Sequence, residues 1–157
     1  MKILINPKTL TFTFEIPAMP STNGVQKILG FSRGWHHWNS VRLGIRKEND
    51  YCVLYLYAYV RGERIIKRMG KVSIGVEVKA ELRFNEGYVS IDCYCGNMVI
   101  GSHTHTDVPM WTFPVGYLLN SYMEKDTNKH DFRYKPKPDI IPFDVRIWDI
   151  KCNGKVL

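Results

Sequence analysis

Tyr51-Cys52-Val53-Leu54-Tyr55-Leu56-Tyr57-Ala58-Tyr59-Val60-Arg61 decides the fold. Successive side chains on a strand project to opposite faces. Cys52, Leu54, Leu56, Ala58 and Val60 therefore form one wholly apolar face, and Tyr51, Val53, Tyr55, Tyr57, Tyr59 and Arg61 form the other. A tyrosine row suits recognition, because each ring offers apolar area at low entropic cost while its hydroxyl still hydrogen-bonds.

The same division recurs along the chain. Val41, Leu43 and Ile45 alternate with Arg42, Gly44 and Arg46, and Val89, Ile91, Cys93 and Cys95 alternate with Tyr88, Ser90, Asp92 and Tyr94. A long alternating run from 71 to 84 sets Val72, Ile74, Val76, Val78, Ala80, Leu82 and Phe84 against a polar side. Leu10, Phe12, Phe14 and Ile16 alternate with Thr9, Thr11, Thr13 and Glu15 before Pro17 and Pro20 end the run. Further strands are expected over 25–33, 63–69, 97–101 and 143–150, with turns at Asn49-Asp50, Gly62-Glu63 and Asn85-Glu86-Gly87. The block from Gly34 to Ser40 reads as a loop. The stretch 102–142 reads as irregular, with only 115–124 able to form a short helix or another strand. Eight or more short strands and almost no helix signal give an all-β fold, a two-sheet antiparallel β-sandwich of jelly-roll type. A closed barrel is its main rival.

With 157 residues, 45% of them hydrophobic, the chain fits one domain over 1–157. Its four cysteines are expected to be reduced, since C-x-C on one strand face matches no zinc spacing. A Cys52–Cys93 bridge stays open should those strands lie opposite each other. The opening Met1-Lys2-Ile3-Leu4-Ile5-Asn6-Pro7 is too short an apolar run for a signal peptide. No apolar stretch approaches the roughly 20 residues of a membrane span, so no membrane partner is expected. Cytoplasm and export as a mature chain both stay open.

The 22 Lys and Arg against 15 Asp and Glu leave a formal charge of +7, which favours an anionic partner. Basic residues are interleaved with acidic ones, with no run of the kind that grips phosphates, which argues against nucleic acid. The densest basic stretch, 61–71, fits an edge strand guarded by Lys and Arg.

Ile28-Leu29-Gly30-Phe31-Ser32 ahead of a His-rich loop, Ser40-Val41-Arg42-Leu43-Gly44, the long runs 51–61 and 71–84, and the late approach to Phe143-Asp144-Val145-Arg146-Ile147 together resemble the layout of the concanavalin A-like lectin/glucanase jelly rolls. The resemblance covers roughly residues 9–150. It implies a glycan held on a concave sheet face, here one carrying Trp38, Arg42, Arg46, Tyr55, Tyr57, Tyr59, Asp92 and Tyr94, with His36 beside them. The expected partner is an oligo- or polysaccharide, with an acidic one favoured by the charge.

Two other classes stay open. A glycoside hydrolase needs two carboxyl groups roughly 5 to 9.5 Å apart. Glu77, Lys79 and Glu81 are similar in spacing to the E-x-D-x-E motif of the family's retaining glucanases, but Lys79 replaces the central Asp and favours ionisation of both neighbours. A polysaccharide lyase would draw on His36, His37, Arg42, Arg46 and Tyr55, Tyr57 or Tyr59. Alternatively, the tyrosine face is a protein interface in a structural or interaction module. His103, His105 and Asp107 share one face if extended, yet H-T-H-T-D beside Pro109 reads better as a polar loop, and no metal or cofactor is expected. Trp35 and Trp38 flank His36-His37; tryptophans in a loop suggest ligand contact, one of them plugging the end of the core.

Overall fold

The structure, a computed structural model, describes residues 2–20, 24–35, 37–109, 114–119, 123–126, 131–134 and 145–157. The strands are β1 (Ile3–Ile5), β2 (Thr9–Glu15), β3 (Gln26–Arg33), β4 (Asn39–Glu48), β5 (Tyr51–Val60), β6 (Glu63–Val72), β7 (Val78–Asn85), β8 (Gly87–Cys95), β9 (Met98–Val108), β10 (Val115–Leu119), β11 (Met123–Asp126), β12 (Asp131–Tyr134), β13 (Val145–Cys152) and β14 (Lys155–Val156). They form two sheets, with every pairing antiparallel. The first runs β1-β10-β3-β4-β5-β6, and the second runs β11-β12-β13-β2-β7-β8-β9 with β14 appended to β13. The protein is an all-β, two-sheet antiparallel β-sandwich.

Its core is the set of apolar faces that alternation marks out. Leu54 and Leu56 of β5, Phe31 of β3 and Leu43 of β4 meet Phe14 of β2 and Ile91 of β8 in one fully buried cluster. Each such side chain contributes about 1.5–3 kcal/mol by leaving water. Cys52, Cys93 and Cys152 are buried free thiols, and Cys95 is also unbridged, as expected. Burial pushes the Cys52 thiol up to about 11 and the Cys93 thiol higher still.

Three expectations about elements are corrected. The alternating run 71–84 is two strands in different sheets: β6 ends at Val72, β7 begins at Val78, and the intervening residues cross from one sheet to the other. Gly75 turns there at φ 76°, its N–H donating to the Ile16 carbonyl at 2.9 Å. Alternation survives the crossing because Ile74 and Val76 stay half-buried at the end of the sandwich. Second, β9 extends through the His-Thr repeat to Val108. This edge strand has polar residues on both faces, so hydrophobic periodicity is silent there. Third, Asn39 and Ser40 begin β4 rather than ending a loop. Residues 115–119 form a strand, one of the two forms expected within 115–124. β1 was not expected at all.

The two sheets meet along one side through paired irregularities. β6 carries an extra residue, Met69, between the pairs Leu54–Gly70 and Tyr55–Arg68. β9 carries Ile100 between the pairs Cys93–Gly101 and Tyr94–Val99. Bulges bend a strand and increase its twist. These two lie side by side: a methyl added to Gly70 would strike the Ile100 carbonyl oxygen, and one on Gly101 would sit 3.3 Å from the Met69 Cβ.

Candidate functional site

The tyrosine row lies on the outer face of the first sheet, as its alternation requires. In register, Arg42 stands opposite Tyr57, Arg46 opposite Val53, and Ser40 opposite Tyr59. On the other flank β6 places Arg64 beside Tyr59, Ile66 beside Tyr57 and Arg68 beside Tyr55. Arg42, Arg46, Tyr55, Tyr57 and Tyr59 thus share one surface.

Asp92 and Tyr94 do not join it. They lie on the outer face of β8, in the second sheet, because Val89, Ile91 and Cys93 take the core side. The core separates them from the tyrosine row, so the expected single Arg/Tyr/Asp platform is two surfaces on opposite sides of the sandwich. Asp92 accepts a hydrogen bond from Ser102 Oγ on β9. Burial and the adjacent Asp92 raise the Tyr94 phenol. His36 lies outside the described residues.

The middle of the tyrosine row is closed by its own neighbours. Tyr55 and Tyr57 are each only 7% exposed. The Tyr55 hydroxyl donates to Glu48 Oε2, and Glu48 also pairs with Arg68 at 3.3 Å. That hydroxyl, with Arg68 and Arg46, holds the Glu48 carboxyl below the usual carboxylate range. Lys27 Nζ lies 5.1 Å from the Tyr57 ring centre and Lys71 Nζ 3.6 Å from that of Tyr51. Arg42 Nη2 donates to the Ile28 carbonyl at 3.3 Å. Cations and rings here pack against one another and close over Tyr55 and Tyr57 as a second layer.

Toward the start of β4 the same face opens. The His37 and Tyr59 rings meet edge-on at 6.4 Å, and Tyr59 meets Tyr57 at 6.0 Å. A hydrogen bond with Tyr57, then burial, raises the Tyr59 phenol. Beyond them Trp35 is 71% exposed and Trp38 40%. This tryptophan loop is anchored at both ends. Gly34 N–H donates to the Val115 carbonyl at 2.8 Å, Trp38 N–H to the Trp35 carbonyl at 2.9 Å, and Gly62 N–H to the Trp38 carbonyl at 3.0 Å. Buried Asn39 accepts the Arg61 N–H through its Oδ1 at 3.2 Å. Arg61 and Gly62, at φ 51° and 79°, form the two-residue hairpin turn, one residue earlier than expected. A Cβ on Gly62 would sit 3.3 Å from the Trp38 six-membered ring, so the bare glycine lets that ring lie against the turn.

Around the edge from Trp38 is a cleft of about 510 Å³ lined by Trp38, Val60, Arg61, Glu63, His105 and Asp107. Sequence reasoning raised His105 and Asp107 only as metal ligands, and did not select Arg61 or Glu63. No group of three or more His, Cys, Asp or Glu able to hold a metal occurs among the described residues. Arg61 and Asp107 both stand at positive φ, uncommon for non-glycine residues, and the adjoining Gly62 is the sequence signal for the first of them. A second hollow of about 550 Å³ lies over Thr9, Thr11 and Glu81, but Asn153 there already accepts the Lys8 and Thr9 N–H groups. Glu77 falls in the crossing segment before β7, so the Glu77–Lys79–Glu81 row expected on one strand is broken.

Farther along β9, burial and the nearby Lys67 and His105 hold the His103 imidazole below its ordinary value. Protonation is then harder in the folded chain than in the unfolded one. The stability this confers is present above the ordinary imidazole value of about 6.5 and is lost as pH falls below it. We expect the urea midpoint to drop between pH 7 and pH 5, and to drop less in His103→Gln. Parallel urea titrations check this; equal drops would remove His103 from the acid response.

The fold and these surfaces define a class: an antiparallel β-sandwich with an aromatic loop end and a polar edge cleft. No protein-family model matches the chain, and no curated protein matches it in sequence. Among solved structures it is similar to Scytalido-glutamic peptidase bound to a peptide-based transition state analog, with TM-score 0.59 and 13% identity over 99% of this chain and 80% of that one. It is also similar to the Bacteroides ovatus Xyloglucan PUL GH43B, with TM-score 0.55 and 12% identity over 94% of this chain and 27% of that one. A third likeness is to the native heptameric SAP-like pentraxin from Limulus polyphemus, with TM-score 0.54 and 11% identity over 100% and 69%. At such identities the likeness is one of fold.

Proposed function

We propose that this protein binds carbohydrate, an oligo- or polysaccharide, at the aromatic end of its first sheet. The observation that carries the reading is the exposure of Trp35 and Trp38 on an anchored loop that continues through His37 into Tyr59 and Tyr57. Large aromatic rings presented to water suit the apolar faces of sugar rings, and the backbone hydrogen bonds of Gly34, Trp38 and Gly62 position them. Arg42 and Arg46 contribute by holding the tyrosine layer in place. Asp92 and Tyr94, on the opposite sheet, fall outside this site. We also read the sandwich as a jelly roll of the concanavalin A-like kind, a reading supported by the pentraxin likeness; the likeness to GH43B is compatible with a glycan ligand.

A glycan array followed by calorimetric titration tests the proposal. The expected result is binding that weakens about tenfold or more in Trp38→Ala, as the loss of one buried aromatic contact implies. An array with no binder, or an affinity indifferent to Trp38, would refute it.

A further inference from the structure

The edge cleft beside Trp38 is built from unusual backbone. Arg61 and Asp107 both line it, at φ 51° and 63°. Asn and Asp enter the left-handed region readily, whereas an Arg there is less common. Arg61 is held so by the two-residue turn it forms with Gly62. Asp107 is held so by a bulge: Gly87 pairs with Val108 and Tyr88 with Thr106, leaving Asp107 as the extra residue. Regular alternation allows only one of Asp107 and Val108 on the inner side. With the bulge, Val108 is buried in the core while the exposed Asp107 lines the cleft with His105. Bulges commonly re-aim a side chain in this way.

The lining combines one aromatic ring, two carboxylates, one guanidinium and one imidazole. Carboxylates accept hydrogen bonds from hydroxyls, the guanidinium donates to ring or hydroxyl oxygens, and the indole covers C–H faces. Two carboxylates against one guanidinium disfavour an anionic guest. The volume falls within the range of small-ligand pockets.

We propose that this cleft is a sugar subsite that takes a neutral pyranose unit rather than a uronate. The proposal rests on the carbohydrate-binding reading above and sharpens it, since the chain's overall positive charge taken alone points to an acidic glycan. Glu63 and Asp107 accept the sugar hydroxyls, Arg61 and His105 complete the polar contacts, and Trp38 joins the cleft to the aromatic loop.

The test titrates the full chain with neutral gluco-, xylo- and manno-hexaoses and with hexagalacturonate. Glu63→Gln and Asp107→Asn keep shape while removing charge, and Asn tolerates the left-handed backbone. Circular dichroism and melting temperature establish that both variants fold. We expect a neutral hexaose to bind the wild type best and to lose about tenfold or more in the double variant. Preference for hexagalacturonate, or its tightening in the wild type over every neutral probe, would overturn the proposal. A neutral hexaose bound equally by wild type and double variant, yet lost in Trp35→Ala, would overturn the cleft while leaving the aromatic site standing. No binding of any glycan, on these probes or on an array, would overturn both.

Discussion

Gly70→Ala is expected to destabilise the protein by about 3 kcal/mol, at the upper end of what overpacking by one methyl usually costs. The methyl would fall on the Ile100 carbonyl oxygen, and its next neighbours are also backbone. A backbone group cannot rotate aside as a long side chain does. The two bulged edges must separate, and with them the strands that carry Glu63 on β6 and Asp107 on β9. Urea denaturation should show a lower midpoint, and glycan affinity should fall with it. Gly24→Ala serves as the comparison: a methyl there meets only the end of Gln26 at 3.5 Å, and a change within about 0.5 kcal/mol is expected. A Gly70→Ala protein as stable as the wild type would mean that this contact does not hold the sandwich side closed.

Phe14→Ala is expected to cost about 3–5 kcal/mol, a large share of the 5–15 kcal/mol typical of a folded domain. Phe14 is fully buried in β2, between β13 and β7, paired in register with Ile147 and Val78 and 6.1 Å from the Phe12 ring. Its loss leaves a cavity between sheets that close packing cannot fill. Thr13→Ala, one residue earlier on the outward side, should change stability by less than about 1 kcal/mol. Thermal melts of the pair measure the contrast. Equal effects would contradict the assignment of faces along β2.

That contrast is legible without any coordinates. The strands of strong alternation between Thr9 and Cys95 place their apolar sets in the core, apart from the half-buried Cys95, and the thiols of Cys52 and Cys93 are buried and free. Alternation failed where its physical basis was missing. In β9 Ser102 and Thr104 face one way and His103 and His105 the other, so no apolar side exists to mark the strand. Between Val72 and Val78 the opposite occurred: an apolar period persisted through a change of sheet, because residues at the end of the sandwich also face inward.

The candidate site was legible in part. Trp38 and Tyr59, both marked by the sequence, lie at the open aromatic end, whereas Tyr55 is closed over by Glu48 and Tyr57 by Lys27 and its neighbours. Exposure depends on which cations and carboxylates cross-strand register brings beside a ring, such as Lys27 over Tyr57, and one strand's pattern does not contain that. Arg61 and Glu63 gave no signal of their own, since they reach the cleft through a tight turn.

The order of apolar and polar residues by itself determined an all-β sandwich, the inward face of most strands and the tyrosine row on an outward face, because a period of two answers only to water on one side and a core on the other. Tertiary structure alone decided that β5 and β8 belong to different sheets, which sends Tyr57 and Asp92 to opposite surfaces although both obey the same rule. It also decided the edge cleft, where two bulged strands from separate sheets draw together and a turn brings Trp38 beside His105 and Asp107. Alternation is set by each residue's relation to the core, while partnership is set by hydrogen-bond register between segments distant in sequence, and the first carries no record of the second.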